Sequence, residues 1–191
     1  MSILGICGSH RDESNTNKLI KIIAEASGKA HDLVYVNDLD IKPCTGCSMC
    51  MMNEGQCPLE DDMESINEKL MQADALIIGS PTYFMDVSGV VKCLIDRTMA
   101  IYYRGVGPEY NPEMPWMGQR PLAGKPAVIL TTVAGGGHER AIETLDVAIR
   151  QIHRMELVAS LAEVVKMNDI DDMPEVIARA EDAGKKLGAL L

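Results

Sequence analysis

The sequence predicts an open, doubly wound α/β domain: a five-stranded parallel sheet with helices on both faces. Three observations carry that expectation. Five short strand-like runs occupy 2–7, 32–37, 73–79, 127–133 and 156–163, and the first and third are too apolar to alternate, as strands covered on both faces are. Between the runs, apolar residues recur at helical spacing. Strand and helix patterns then alternate along the whole chain with no repeat and no linker, which is how parallel sheets joined by crossover helices are written. At 191 residues the chain fits one domain, since about 100–200 residues per domain is usual.

Taken in order, Ser2–Cys7 is the first strand, and Gly8-Ser9-His10-Arg11-Asp12-Glu13-Ser14-Asn15-Thr16-Asn17 is a polar turn. Leu19, Ile20, Ile22, Ile23 and Ala26 then line one helical face. A Gly/Ser/Asn/Thr loop between a first strand and a helix is physically a phosphate cradle, because hydroxyls, unpaired N–H groups and the helix dipole all favour an anion. It has neither the Gly-Lys-Ser/Thr ending of a Walker loop nor G-x-G-x-x-G, and an ordinary capped turn is the plainer alternative.

The second strand, 32–37, leads into a cysteine-rich segment, after which Glu60-Asp61-Asp62 opens a helix with Met63, Ile66 and Leu70 inward. Strand three ends at Gly79 and is followed by the loop Ser80–Gly89; Val90, Val91, Leu94, Ile95, Thr98 and Met99 mark the next buried helix face. Asp86, Asp96 and Arg97 read as surface or helix-pairing charges. Residues 104–126 hold five prolines among four glycines, and so long a loop is usually functional. Strand four runs into Gly135-Gly136-Gly137 and a helix bearing Ile142, Leu145, Ile149 and Ile152. Strand five and a last amphipathic helix (Met173, Val176, Ile177, Ala180, Leu187) complete the pattern.

A formal net charge of −10 argues against a nucleic-acid partner, and no apolar run approaches the roughly 20 residues of a membrane span. Met1-Ser2 leads directly into a strand without a charged, cleavable leader, so a cytoplasmic location is expected. Six of the seven aromatic residues lie between 83 and 116, which suggests a ligand wall or subunit contact there.

The segment 43–58 holds Cys44, Cys47, Cys50 and Cys57, spaced C-x2-C-x2-C-x6-C and closed by Pro58. Two successive x2 gaps can wrap three thiolates around three corners of a cubane, as ferredoxin-type [4Fe–4S] ligation does. Zinc, disulfides, or loop thiols holding no metal are the alternatives. Zinc sites usually pair two separated knuckles or include His, and none lies between His31 and His138. Disulfides fit poorly with a reducing compartment. Cys7 and Cys93 read as buried, hydrophobe-like thiols.

In a doubly wound sheet, ligands bind beyond the carboxyl ends of the strands. That edge collects the loops after strands one, two, three and four. The Gly8–Thr16 turn resembles the flavin phosphate loop of flavodoxin-like, NADPH-dependent FMN reductases, and Gly79-Ser80-Pro81-Thr82-Tyr83 resembles that superfamily's loop against the isoalloxazine ring. The cysteine set ending in Asp61-Asp62-Met63 is similar to the iron–sulfur flavoproteins of anaerobes, which carry one FMN and one [4Fe–4S] cluster per subunit. His10 departs from the family, where Pro is frequent.

The resemblance implies FMN phosphate contacts from Ser9, Arg11, Ser14, Asn15 and Thr16. It sets Pro81, Thr82, Tyr83 and Phe84 along the ring, with Gly135 and Gly136 approaching from strand four. Cys44, Cys47, Cys50 and Cys57 would ligate the cluster. No side chain is expected to be catalytic in itself, since a flavin needs orientation and electrostatics from its protein. The implied function is an electron-transfer flavoprotein, a homodimer or homotetramer, passing electrons between a one-electron donor such as ferredoxin and an acceptor. An NAD(P)H-dependent FMN or quinone reductase with no functional cluster is the alternative, and a zinc- or thiol-based sensor on the same scaffold a third.

Overall fold

A computed structural model gives the structure, and it describes residues 1–105, 111–114 and 119–191. The strands are β1 (Ser2–Cys7), β2 (Ala30–Tyr35), β3 (Ala75–Tyr83), β4 (Asp86–Val87), β5 (Pro126–Val133) and β6 (Glu156–Val164). The helices are α1 (Asn15–Ala26), α2 (Met49–Met52), α3 (Met63–Gln72), α4 (Gly89–Arg97), α5 (Met99–Tyr102), α6 (Glu139–Asp146) and α7 (Pro174–Ala189). Five strands pair in parallel in the order β2-β1-β3-β5-β6, and β4 is a short antiparallel addition to the end of β3. This is a flavodoxin-like sheet, and all five expected strands are in it.

Alternation along β1 explains why both faces carry helices. Ile3 and Cys7 point to one core with Leu19, Ile20 and Ile23 of α1 and Val176, Ala180 and Leu187 of α7. Leu4 and Ile6 point to the other, with Met63, Ile66 and Leu70 of α3, Leu94 of α4 and Leu145 of α6. Each such fully buried Leu or Ile contributes roughly 1.5–3 kcal/mol of transfer free energy. Cys7 is buried as expected, and desolvation pushes its thiol up to about 12, so it stays protonated. Cys93 is only half-buried.

Several boundaries differ from the sequence reading. The second strand runs Ala30–Tyr35 rather than 32–37, and Val36–Asp38 is a 3₁₀ turn. Strand β3 does not stop at Gly79 but continues through Pro81 to Tyr83. Its neighbour β1 ends opposite Gly79 and β4 pairs only from Thr82, so Pro81 falls in the gap between them, where a proline without an N–H is tolerated. The helix expected across 142–152 changes winding at Val147 and finishes as a π-helical segment, Val147–Ile152. The cysteine segment contains its own helical turn, α2. Part of the 104–126 loop, with Tyr110 and Trp116, lies outside the described residues. Its return end is tied to the fold where Gln119 N donates to Tyr102 O (2.7 Å) and Arg120 lies over the Tyr102 ring at 5.1 Å.

Candidate functional site

The turn after β1 is built from within. Gly8 N donates to Gly79 O at 3.0 Å, and a Cβ on Gly8 would lie 2.1 Å from that oxygen, so this crossing requires glycine. Ser14 caps α1 by accepting from Asn17 N at 3.2 Å. The Asn17 amide bridges the turn, donating to Arg11 O (3.1 Å) and Ser9 O (3.4 Å), while Ser9 Oγ accepts from Arg11 N (3.2 Å). Thr16 Oγ1 meets Thr132 Oγ1 at 2.7 Å. Ser9, Ser14 and Thr16 are thus buried members of the loop's frame.

Arg11 is exposed, whereas Asn15 turns toward the β6–α7 connection, donating to Asn168 O (2.9 Å) and accepting from Ile170 N (3.1 Å). With the N–H of Asn17 taken by the cap, those of Asn15 and Thr16 open α1 without intrahelical acceptors, at the positive end of its dipole.

On the ring side, Pro81 pairs in register with Thr132, and Thr82 Oγ1 lies 2.8 Å from Thr131 Oγ1. Tyr83 faces Asp86 across a two-residue hairpin turn made by Phe84 (φ 49°) and Met85 (φ 67°). Both turn residues sit in the left-handed region, as the twist of a tight hairpin demands, though neither is Gly, Asn or Asp. The turn holds Phe84 at 104% exposure, beside the exposed Tyr83 and Met85. Gly135 and Gly136 leave β5 with open space where a Cβ would stand, and a Cβ on Gly137 would lie 3.0 Å from Met85 Cε. The structure therefore brings the β3 hairpin and the glycine turn together. The residues suit FMN in kind, with backbone donors and Arg11 for a phosphate and bare aromatic and glycine surface for a flat ring.

The cysteine segment leaves the core through a tight neck. Asp62 N donates to Asp40 O (3.0 Å), Asp40 N to Asp62 Oδ2 (2.7 Å), Lys42 N to Asp61 Oδ2 (2.9 Å) and Lys42 Nζ to Glu60 O (2.6 Å). Beyond the neck, Cys44 and Cys47 are exposed and Cys50 and Cys57 half-buried. Burial raises the Cys50 pKa, and the Cys57 and Cys44 thiols raise it further. The Cys47 pKa is lowered by the Met49 backbone and then by the Thr45 hydroxyl.

Gly46 (φ 67°) and Ser48 (φ 60°) flank Cys47 in the left-handed region. Among the described residues no three His, Cys, Asp or Glu side chains converge as metal ligands would. The donor set suits a cluster in type and number, four thiols on one loop, although their side chains are not drawn together.

Arg97 is the residue the sequence reading misjudged. It is no surface charge: its side chain and that of Asp61 are 2% and 0% exposed, and they form a two-pronged ion pair. Burial alone would lower the Arg97 pKa, but the Asp61 hydrogen bond, with the Cys57 thiol beside it, holds it above its ordinary value. Burial would likewise raise Asp61, and the hydrogen bond from Arg97, then the Lys42 and Met63 N–H groups, bring it below its usual range. A lone Arg at the end of an amphipathic helix carries no signal of this. Asp61, read as a helix-opening acid, does accept from Met63 N at 3.1 Å, but its main partner is Arg97.

Cys44 and Cys50 line one side of an open groove of about 1140 Å³, whose other walls are α4, α6 and the π-helical segment. None of the phosphate-loop residues borders it. His153 lines its floor, 4% exposed, with Nε2 2.9 Å from Thr98 Oγ1, and desolvation pushes its pKa down to about 4.

Fold and loop edge together define a flavodoxin-like domain. The chain belongs to the NADPH-dependent FMN reductase family, whose model matches residues 1–167. It is 42% identical over 102 residues to an iron-sulfur flavoprotein of Methanocaldococcus jannaschii, a match covering 51% of this chain and 52% of that one. An iron-sulfur flavoprotein of Archaeoglobus fulgidus is also 42% identical, over 101 residues covering 51% of this chain and 49% of that one. The chain spans about half the length of these curated relatives. Among solved structures, the NAD(P)H:quinone oxidoreductase from Methanothermobacter marburgensis superposes with a TM-score of 0.72 at 16% identity, covering 98% of each chain. That likeness is one of fold.

Proposed function

We propose that this protein is an electron-transfer oxidoreductase that binds FMN at the carboxyl edge of its sheet and one [4Fe–4S] cluster on Cys44, Cys47, Cys50 and Cys57. The observation that carries the reading is the convergence of the β1 turn, the β3 hairpin and the glycine turn at one sheet edge, with the complete cysteine set in the loop that follows β2. Bound FMN supplies two-electron or one-electron exchange, and a bound cluster passes electrons singly. The protein's part is to bind and orient. Backbone N–H groups at the start of α1 and Arg11 hold the phosphate, while Tyr83 and Phe84 cover the ring and exclude water from it. Pro81 and Thr82 hold the hairpin that carries them, and Gly135 and Gly136 let the ring approach the backbone. Beyond the neck, Gly46 supplies backbone freedom for the loop to gather its four cysteines.

The name iron-sulfur flavoprotein on the relatives supports the cluster, and a cytoplasmic location with ferredoxin as a one-electron partner belongs to the same proposal. Among the described residues no helix is long and apolar enough to cross a membrane. The exposed Met49, Met51, Met52, Phe84 and Met85 favour a homodimer or homotetramer that covers them. The second reading, an NAD(P)H-dependent FMN or quinone reductase without a cluster, is favoured by the family match.

Analysis of protein purified without oxygen separates the two. The carrier reading expects about one FMN with about four iron and four sulfide per chain. FMN alone, or zinc, selects against it. Replacing Cys44, Cys47, Cys50 or Cys57 with Ala lowers the iron content, whereas Cys7→Ala and Cys93→Ala do not.

A further inference from the structure

We propose that Arg97 is a positioning residue that locks the cysteine loop onto the fold and sets the charge felt at the Cys57 sulfur. The inference rests on the cluster reading above.

One buried guanidinium binds both ends of the loop and stands beside one of its thiols. Arg97 Nη1 donates to Lys42 O (2.8 Å), two residues before Cys44. Nη1 and Nη2 grip the Asp61 carboxylate, four residues after Cys57, with Nη2 at 2.9 Å from Oδ1. Asp61 Oδ2 in turn accepts from Lys42 N (2.9 Å), so entering and leaving strands of the neck share one charged clamp. The Cys57 thiol lies beside the guanidinium and helps hold the Arg97 pKa above its ordinary value. Arg97 itself is fixed by its place in the last turn of α4, whose Val91 and Leu94 are buried in the core. A second arginine supports the outer loop, Arg104 donating to Gly55 O (3.1 Å) and to Glu64 Oε2 (2.6 Å).

Two consequences follow from charge and geometry. A planar fork can hold a carboxylate and a carbonyl at once, whereas a lysine ammonium on a flexible stem cannot keep that geometry. A fixed positive charge against a ligating sulfur favours the more negative, reduced state of whatever that sulfur binds, and the buried carboxylate opposes it. Arg97 and Asp61 therefore act on the cluster with opposite signs.

The test uses full-length protein reconstituted anaerobically with ferrous iron and sulfide, comparing Arg97→Gln, Arg97→Lys and Asp61→Asn with wild type. The cluster midpoint potential should fall in Arg97→Gln and rise in Asp61→Asn. Arg97→Lys should hold a potential near wild type yet lose iron to a chelator about tenfold faster, because the charge stays and the fork is gone. In metal-free protein, amide hydrogen exchange across 43–60 should be about tenfold faster in Arg97→Lys. Wild-type potentials in both charge-removing variants would overturn the electrostatic role, and unchanged exchange in Arg97→Lys would overturn the clamp. If wild type takes up no iron and sulfide, the cluster reading fails and the electrostatic role with it, and exchange alone decides the clamp. If Arg97→Gln does not fold, Asp61→Asn and Arg97→Lys still decide both.

Discussion

Thr16 and Thr132 meet hydroxyl to hydroxyl at 2.7 Å, joining the first turn of α1 to the end of β5 behind the phosphate loop. Both are buried, so neither hydroxyl has water to replace a lost partner. Thr132→Val leaves Thr16 unpaired and should cost about 1–3 kcal/mol in urea unfolding. Thr16→Val with Thr132→Val should recover part of that loss, because no orphan hydroxyl then remains. Additive losses in the double variant would refute the pairing.

His153 should make stability fall in acid. Its pKa is pushed down to about 4 by burial, below its ordinary 6.5, so the unfolded chain binds the extra proton first. The contribution is fully present above pH 6.5 and is lost as pH falls toward 4, by an amount on the order of 3 kcal/mol. His153→Gln should flatten that part of the curve relative to wild type. Parallel curves for the two proteins would show that His153 is not buried neutral.

Arg11 is the exposed cation of the phosphate loop. A charge-assisted contact is worth about 1.5–3 kcal/mol, so Arg11→Ala should weaken FMN binding by roughly 10- to 150-fold, measured by flavin fluorescence quenching. Unchanged affinity would leave the phosphate to backbone donors alone. Bound FAD in place of FMN would contradict the single compact cradle.

Assembly is tested by sedimentation. Trp116, outside the described residues, belongs to the aromatic, proline-rich segment expected at a subunit contact, and Trp116→Glu should shift the protein toward monomer. A wild-type monomer at micromolar concentration would contradict that expectation.

Much of this architecture is legible in the chain because periodicity reports burial. β1 and β3 are apolar on both faces, and both are central. Legibility fails where long-range geometry overrides local pattern. Pro81 reads as a strand end, yet β3 continues past it because β1 has already stopped. Arg97 reads as a surface charge, yet a carboxylate 36 residues earlier draws it into the core. Asn17, a frame residue of the phosphate loop, reads as an ordinary helix-start polar residue, because its bonds to Ser9 and Arg11 depend on how the turn folds back. The cysteine spacing announces a ligand set, but spacing alone does not say that Cys44 and Cys47 are exposed while Cys50 and Cys57 are half-buried.

The account stands on electron exchange between FMN and the cysteine loop, and stopped-flow reduction of anaerobic protein tests it most directly. Flavin and cluster absorption are followed separately with ferredoxin or NADPH as donor, in wild type and in Cys47→Ala. The prediction is rapid reduction by ferredoxin in wild type, with electron delivery to FMN lost in Cys47→Ala that still holds its flavin. Rapid flavin reduction by NADPH, with turnover unchanged in Cys47→Ala, would contradict it and make the protein a cluster-independent reductase.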